Sequence, residues 1–101
     1  MPVGEEVIFK IENARVRIIE LGPHEVASLH SHSEVTDNMF CLSGRMSVRM
    51  KNPDQETFLL PGQRCTVQQG RVHQVANGEA TITTYLLVQG VGRYDYNVHK
   101  A

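Results

Sequence analysis

Two histidines two positions apart, His30 and His32, stand in the stretch His30-Ser31-His32-Ser33-Glu34-Val35-Thr36-Asp37. A third histidine, His73, follows in Gly70-Arg71-Val72-His73-Gln74. Residues at i and i+2 fall on different faces of a helix, whereas on a strand they project to the same side. Imidazole nitrogens and a carboxylate oxygen suit a divalent first-row transition metal. Three neutral imidazoles and the Asp37 carboxylate converging inside a β-barrel would make such a site. Function therefore turns on whether His30, His32, Asp37 and His73 meet.

The elements that have to bring them together are strands. Val16 and Ile18 alternate with Arg15 and Arg17 within Ala14–Leu21; Met46, Val48 and Met50 alternate with Arg45, Ser47 and Arg49. Within Ala80–Gln89, Ile82, Thr84, Leu86 and Val88 share one face, and Thr81, Thr83 and Tyr85 the other. This period of two predicts half-buried strands. Further strands are expected at Val7–Ile11, Glu25–His30, Met39–Leu42, Glu56–Leu60, Cys65–Gln68 and Val72–Val75. Turn signals separate the runs: Gly22-Pro23, Ser43-Gly44, Asn52-Pro53-Asp54, Pro61-Gly62, Gly70 and Asn77-Gly78. Asn-Gly is the strongest, because both central residues of a type I′ turn need positive φ. No window carries a helical stripe with caps, so the reading is an all-β antiparallel sandwich or barrel. From Gly92 onward the alternation is lost, which predicts a tail across the surface.

Gly22, seven residues, His30-x-His32, four residues, Asp37, six residues and Gly44 resemble the first cupin motif. Gly62, five residues, Gln68-x-Gly70, two residues, His73, three residues and Asn77 resemble the second. The two halves span residues 22–77, a little over half the chain, with Arg45–Pro61 as the intermotif hairpin. The resemblance implies one small cupin domain over residues 1–101, a double-stranded β-helix or jelly-roll barrel. It also implies metal ligation by His30, His32 and His73, with Asp37 as fourth ligand. Asp37 stands where the family usually has glutamate, so three roles stay open for it: direct ligand, ligand through water, or uncoordinated general base. Gln68 replaces the proline of the second motif, a change that bears on turn rigidity.

The ion would be one Fe, Mn, Ni, Co or Zn per chain, since affinity order alone does not choose among them. Its ligands are neutral imidazoles, so binding should weaken as pH falls through the histidine range. The competing reading is a barrel whose histidines are merely hydrogen-bonded core residues.

Bulk properties bound the alternatives. A chain of 101 residues has room for one core. Net charge is −1 with ten Lys+Arg scattered singly, which argues against nucleic acid as partner. No apolar run approaches the ~20 residues that span a bilayer, so no membrane association is expected. The N-terminus lacks the layout of a signal peptide, and Cys41 and Cys65 make no disulfide framework. A cytoplasmic protein with two reduced thiols is the expectation.

Around the site, strand parity aims Met39 and Cys41 the same way as Asp37, with Asn38, Phe40 and Leu42 opposite. Cys41 reads first as a small buried hydrophobe, second as a thiol near the metal; Cys65 reads as buried. Among Arg15, Arg17, Arg45, Arg49, Arg64 and Arg71, each taken singly reads as a solvated face residue, although a cupin pocket often anchors a carboxylate with arginine or glutamine. Parity alone does not place Arg71 or Gln63 at the barrel mouth. Tyr85 reads as a core aromatic with a lumen position as the alternative; His24 and His99 read as surface residues. The apolar Phe40 and Leu42 on the outer face call for a second apolar layer, so a homodimer is expected, as the resemblance also implies.

Two functions compete. One is a metal-dependent enzyme of dioxygenase, isomerase, lyase or decarboxylase type acting on a small polar or carboxylate-bearing substrate. The other is a non-catalytic module that binds a small molecule or metal. A titratable group within reach of bound ligand favours the first.

Overall fold

The computed structural model describes residues 4–100. Ten strands follow in chain order: β1 (Gly4–Ile11), β2 (Ala14–Leu21), β3 (His30–Ser31), β4 (Thr36–Ser43), β5 (Met46–Met50), β6 (Gln55–Leu59), β7 (Arg64–Val67), β8 (His73–Ala76), β9 (Thr83–Gly90) and β10 (Asn97–Val98). They form two five-stranded sheets, β1-β2-β9-β4-β7 and β10-β3-β8-β5-β6. Every pairing is antiparallel. Among the described residues there is no helix, and hence none long and apolar enough to cross a membrane.

The inner faces of the two sheets close on one core. Ile19 and Leu21 from β2, Met39 from β4 and Leu87 from β9 meet Val48 and Val75 from the other sheet. Alternation accounts for this directly: along β9 every second residue, Thr83, Tyr85, Leu87 and Gln89, is buried. The strands fall within a few residues of their predicted places, with three differences.

First, Glu25–His30 is not a continuous strand. Only Val26 makes an isolated bridge, to Ala76, before β3 begins at His30. Glu25 instead turns back, its carboxylate accepting the Gly22 N–H at 2.9 Å. Second, Asn77-Gly78 is no type I′ hairpin, for neither residue has positive φ. The segment crosses from β8 in one sheet to β9 in the other. Asn77 is buried there and donates to the Leu21, Gly22 and Thr81 carbonyls while its Oδ1 accepts from Glu79 N and Thr83 Oγ1. Third, the tail from Gly92 does not simply trail over the surface. Its β10 extends the second sheet by pairing Asn97 with Ser31 and Val98 with His30.

Gly44 shows why a glycine is needed between β4 and β5. Its φ is +80°, and a Cβ there would collide with Thr83 Oγ1. Both conditions exclude other side chains.

Candidate metal centre

His30 opens β3 and lies directly opposite His73, the first residue of β8. His32 follows just beyond β3, its side chain on the same side as that of His30 by strand parity. Asp37 comes from the other sheet, in β4, opposite Gln89 in β9. All four residues are buried, and one donor atom from each lies within 4.8 Å of all the others. The four residues singled out by spacing therefore do meet, with the two sheets contributing opposite sides of the cluster.

The hydrogen bonds fix how the rings face. His30 Nδ1 donates to Ser28 O at 2.8 Å, His32 Nδ1 to Asp95 O at 2.6 Å, and His73 Nδ1 to Arg71 O at 2.9 Å. A carbonyl only accepts, so each Nδ1 carries its hydrogen and each neutral ring keeps a bare lone pair on Nε2. Asp37 Oδ2 lies 3.2 Å from His32 Nε2 and 3.1 Å from His73 Nε2. Acceptor thus faces acceptor twice at one oxygen. Such contacts require extra protons or a cation between the atoms. The donor set, three imidazole nitrogens and one carboxylate oxygen, is consistent with one metal ion.

Electrostatics sharpen the picture. Burial drives His30 down from 6.5 to about 4, against the pull of its Ser28 hydrogen bond. Its ring is neutral near pH 7. Burial also acts to lower His32, yet the hydrogen bond and charge of Asp37 outweigh it and hold this ring above its ordinary value. For Asp37, burial would raise the carboxyl, but His32, His73 and Gln89 together hold it well below the usual carboxylate range. Gln89 Nε2 donates to Asp37 Oδ1 at 2.9 Å, while Gln89 Oε1 accepts from Arg17 Nη2 at 2.6 Å. Arg17 Nη1 in turn pairs with Glu5 at 3.0 Å. A chain of polar contacts thus runs from the protein edge to the cluster.

Beside the cluster lies a cavity of about 320 Å³. That is at the small end of ordinary ligand pockets. Ile19, Met39 and Leu87 make an apolar wall, and Arg17, Tyr94 and Tyr96 add polar atoms. Tyr96 stacks on His30 with ring centroids 4.2 Å apart and planes 12° from parallel. The Arg15 guanidinium sits 3.8 Å from the Tyr94 ring centre.

Several sequence expectations change here. Arg17 is not a solvated face residue: its side chain is only 11 % exposed, because on β2 the arginines face inward and Val16 and Ile18 outward. Tyr85 is both a buried aromatic and a pocket-wall residue. Cys41 points inward as parity suggests, but its Sγ–H is directed at the Ser43 and Gly44 carbonyls, and burial pushes its thiol up; it does not line the pocket. Cys65 is likewise buried. Arg71 secures the β5–β6 turn through the Lys51 and Pro53 carbonyls, and Gln63 caps its own turn at Leu60 N. His24 and His99 are exposed, although His99 pairs with Ser31 Oγ at 2.8 Å.

Sequence reasoning missed Gln89 and the tail tyrosines. Gln89 was within reach, since extending the face of Thr83 and Tyr85 by two positions twice arrives at it. Nothing local in residues 93–99 signals that they return to the first motif.

Comparisons with solved structures agree with this fold. An uncharacterized conserved protein with a double-stranded β-helix domain from Klebsiella pneumoniae superposes with a TM-score of 0.85 at 19 % identity, over 99 % of this chain and 85 % of that one. The polyketide cyclase RemF from Streptomyces resistomycificus gives 0.81 at 16 % identity, over 96 % and 70 %. A cupin-superfamily sugar phosphate isomerase from Silicibacter pomeroyi gives 0.71 at 18 %, over 88 % and 58 %. No family model and no curated protein sequence matches the chain. The chain has the double-stranded β-helix fold of the cupins, and it carries within that fold a buried three-histidine, one-aspartate cluster typical of a metal site.

Proposed function

We propose that this chain is a small metal-dependent cupin enzyme. His30, His32 and His73 through Nε2 and Asp37 through Oδ2 hold one divalent transition metal, and the adjoining cavity takes a small polar or carboxylate-bearing substrate. The observation that carries the reading is the double acceptor contact at Asp37 Oδ2, which a cation resolves. Asp37 serves as a ligand rather than as a general base, because Gln89 occupies Oδ1 and the carboxyl is held far below the pH at which a base is effective.

A cation in this position supplies Lewis acidity to a substrate oxygen. The rest falls to the protein. Arg17, paired with Glu5 through Nη1 and holding Gln89 through Nη2, fixes the polar side of the cavity wall. Ile19, Met39 and Leu87 limit water, and a drier site strengthens each polar contact made inside it. Tyr85 and Tyr96 bring hydroxyl-bearing rings to the cavity beyond the metal donors. Groups of this kind beside the cluster favour catalysis over passive binding. The structural relatives include enzymes of different reaction types, a cyclase and an isomerase, and a fold alone selects no chemistry.

The outer face of the β1-β2-β9-β4-β7 sheet supports a homodimer as the working form. Across it, Ile18 pairs with Leu86 and Leu86 with Phe40, flanked by Glu6 beside Ile18 and Arg64 beside Phe40. A two-fold axis along the strand direction would set this apolar row on itself and bring Glu6 of each copy over Arg64 of the other.

The test is elemental analysis of tag-free protein beside a His30→Ala/His73→Ala variant. Near-stoichiometric metal that disappears in the variant supports the reading. A wild type that stays empty after incubation with each of Fe, Mn, Ni, Co and Zn overturns it.

A further inference from the structure

Three imidazoles need three acceptors on Nδ1, and the chain finds them in two different ways. His30 and His73 each donate to a carbonyl two residues back, Ser28 and Arg71. His32 donates instead to Asp95 O, 63 residues away in the tail. The same tail segment stacks Tyr96 on His30. Two of the four proposed ligands are therefore oriented by residues that belong to neither cupin-like motif.

The tail is in turn fastened mainly to the ligand-bearing segment. Asp95 Oδ1 accepts from Ser33 N at 2.8 Å, and Asn97 Nδ2 donates to Ser31 O and Ser33 Oγ, each at 3.3 Å. His99 N donates to Leu29 O at 2.8 Å. Otherwise β10 is a two-residue edge strand with its side chains exposed. Gly92, at φ +149° and packed against Glu34, sets the point from which the segment turns back.

Resting on the metal-centre reading above, we propose that residues 93–99 form a positioning strap for that centre. The Asp95 carbonyl and the Tyr96 ring hold His32 and His30 in the liganding orientation, and a cation that fixes those rings holds the strap in place. The coupling is reciprocal by thermodynamic necessity: whatever factor the strap adds to metal affinity, metal adds to strap docking. Losing an outer partner of a metal-bound histidine typically weakens binding 10–100-fold. The strap also carries Tyr94 and Tyr96 to the cavity, so an undocked strap leaves the pocket without that wall.

Trypsin reads the docking, because Arg93 is exposed at the start of the strap and Lys51 is exposed in a turn remote from it in sequence. Chelator-stripped, tag-free protein is digested with and without added Zn²⁺ or Ni²⁺, and cleavage after Arg93 and after Lys51 is followed by mass spectrometry. The expected result is cleavage after Arg93 slowed at least tenfold by metal, with the Lys51 rate changed much less. In parallel, a chain ending at Arg93 and the full-length variants Tyr96→Leu and Asn97→Ala are titrated with the same ions. Each should bind metal more weakly than the full chain, by 10–100-fold for the truncation; the point variants decide the matter if the truncated chain does not fold. Stoichiometric metal binding with cleavage after Arg93 unchanged, or with variant affinities unchanged, overturns the strap and leaves the metal centre standing. A full chain that takes up neither ion is carried through the same digestion and titration with Fe, Mn and Co, and one that takes up none of the five overturns both.

Discussion

Gln89 and Asp37 face each other across β9 and β4, and the amide of one fixes the carboxylate of the other: Gln89 Nε2 donates to Asp37 Oδ1 at 2.9 Å. The amide cannot turn over, because its oxygen already accepts from Arg17. Asp37 is thereby left with a single oxygen, Oδ2, for the histidines.

Replacing this amide should loosen the cluster without emptying the fold. Gln89→Leu removes the donor to Oδ1 and leaves the Arg17 guanidinium without that acceptor. Metal affinity should drop roughly tenfold or more, and the metal-free protein should lose about 1–3 kcal/mol for the buried oxygen left unpaired. Competition against a chelator and urea unfolding measure the two effects. An unchanged affinity would show that Asp37 needs no such support.

His30 and His32 should titrate far apart in metal-free protein. His30 is driven by burial from 6.5 to about 4, so between these values the unfolded chain holds more protons than the folded one. That contribution weakens the fold as pH falls through this window, by at most about 3 kcal/mol once solvent screening is allowed for. His32 has the opposite sign: its raised value makes a contribution present below 6.5 and lost as pH rises through the raised folded value. Asp37 contributes above 3.8, and its contribution disappears as pH falls through its depressed value. Imidazole NMR separates the terms. The expected outcome is one ring titrating near 4 and assigned to His30, and another, His32, titrating above its ordinary value; a His30 midpoint near 6.5 would contradict its burial.

Asn77 should matter to stability and little to metal. Its side chain joins the end of β2 to the link between β8 and β9 through three donated and two accepted hydrogen bonds. Asn77→Ala should cost about 3 kcal/mol in urea unfolding. Asn77→Asp should cost at least as much, since it turns a carboxylate toward three carbonyl oxygens. Folded molecules of either variant should keep the wild-type metal stoichiometry.

The proposed dimer gives a mass. Light scattering should report twice the 11.4 kDa chain for the wild type and a single chain for Phe40→Glu, which places a charge in the middle of the apolar row. A monomeric wild type at tens of micromolar would remove the second layer from consideration.

What could be read in the sequence was whatever depended on strand parity and short spacing. His30 and His32 project together because i and i+2 do so on any strand, and Asp37, Met39 and Cys41 share the inner face of β4 for the same reason. The wrong inference at Glu25–His30 came from apolar content without a continuous partner strand to pair it. On β2 and β9 the alternation was visible, but two apolar rows competed, and the sheet turned Arg17 and Gln89 inward while Val16, Ile18 and Leu86 went outside. Asn77-Gly78 carries the composition of a hairpin, yet the chain uses it to change sheets. The role of Asp95 was beyond reach, since a backbone carbonyl has no residue type to betray it.

His30 and His73 belong to one sheet and Asp37 to the other, so the cluster spans the gap between the two layers. A cation held there would be a removable cross-link between layers that otherwise meet mostly through apolar side chains. Its contribution to folding grows with the logarithm of free-metal concentration above the dissociation constant. If the proposed ion binds, the stability of the chain would track the metal available around it. In a metal-poor surrounding the same barrel should unfold more readily and turn over faster, with no change in its sequence.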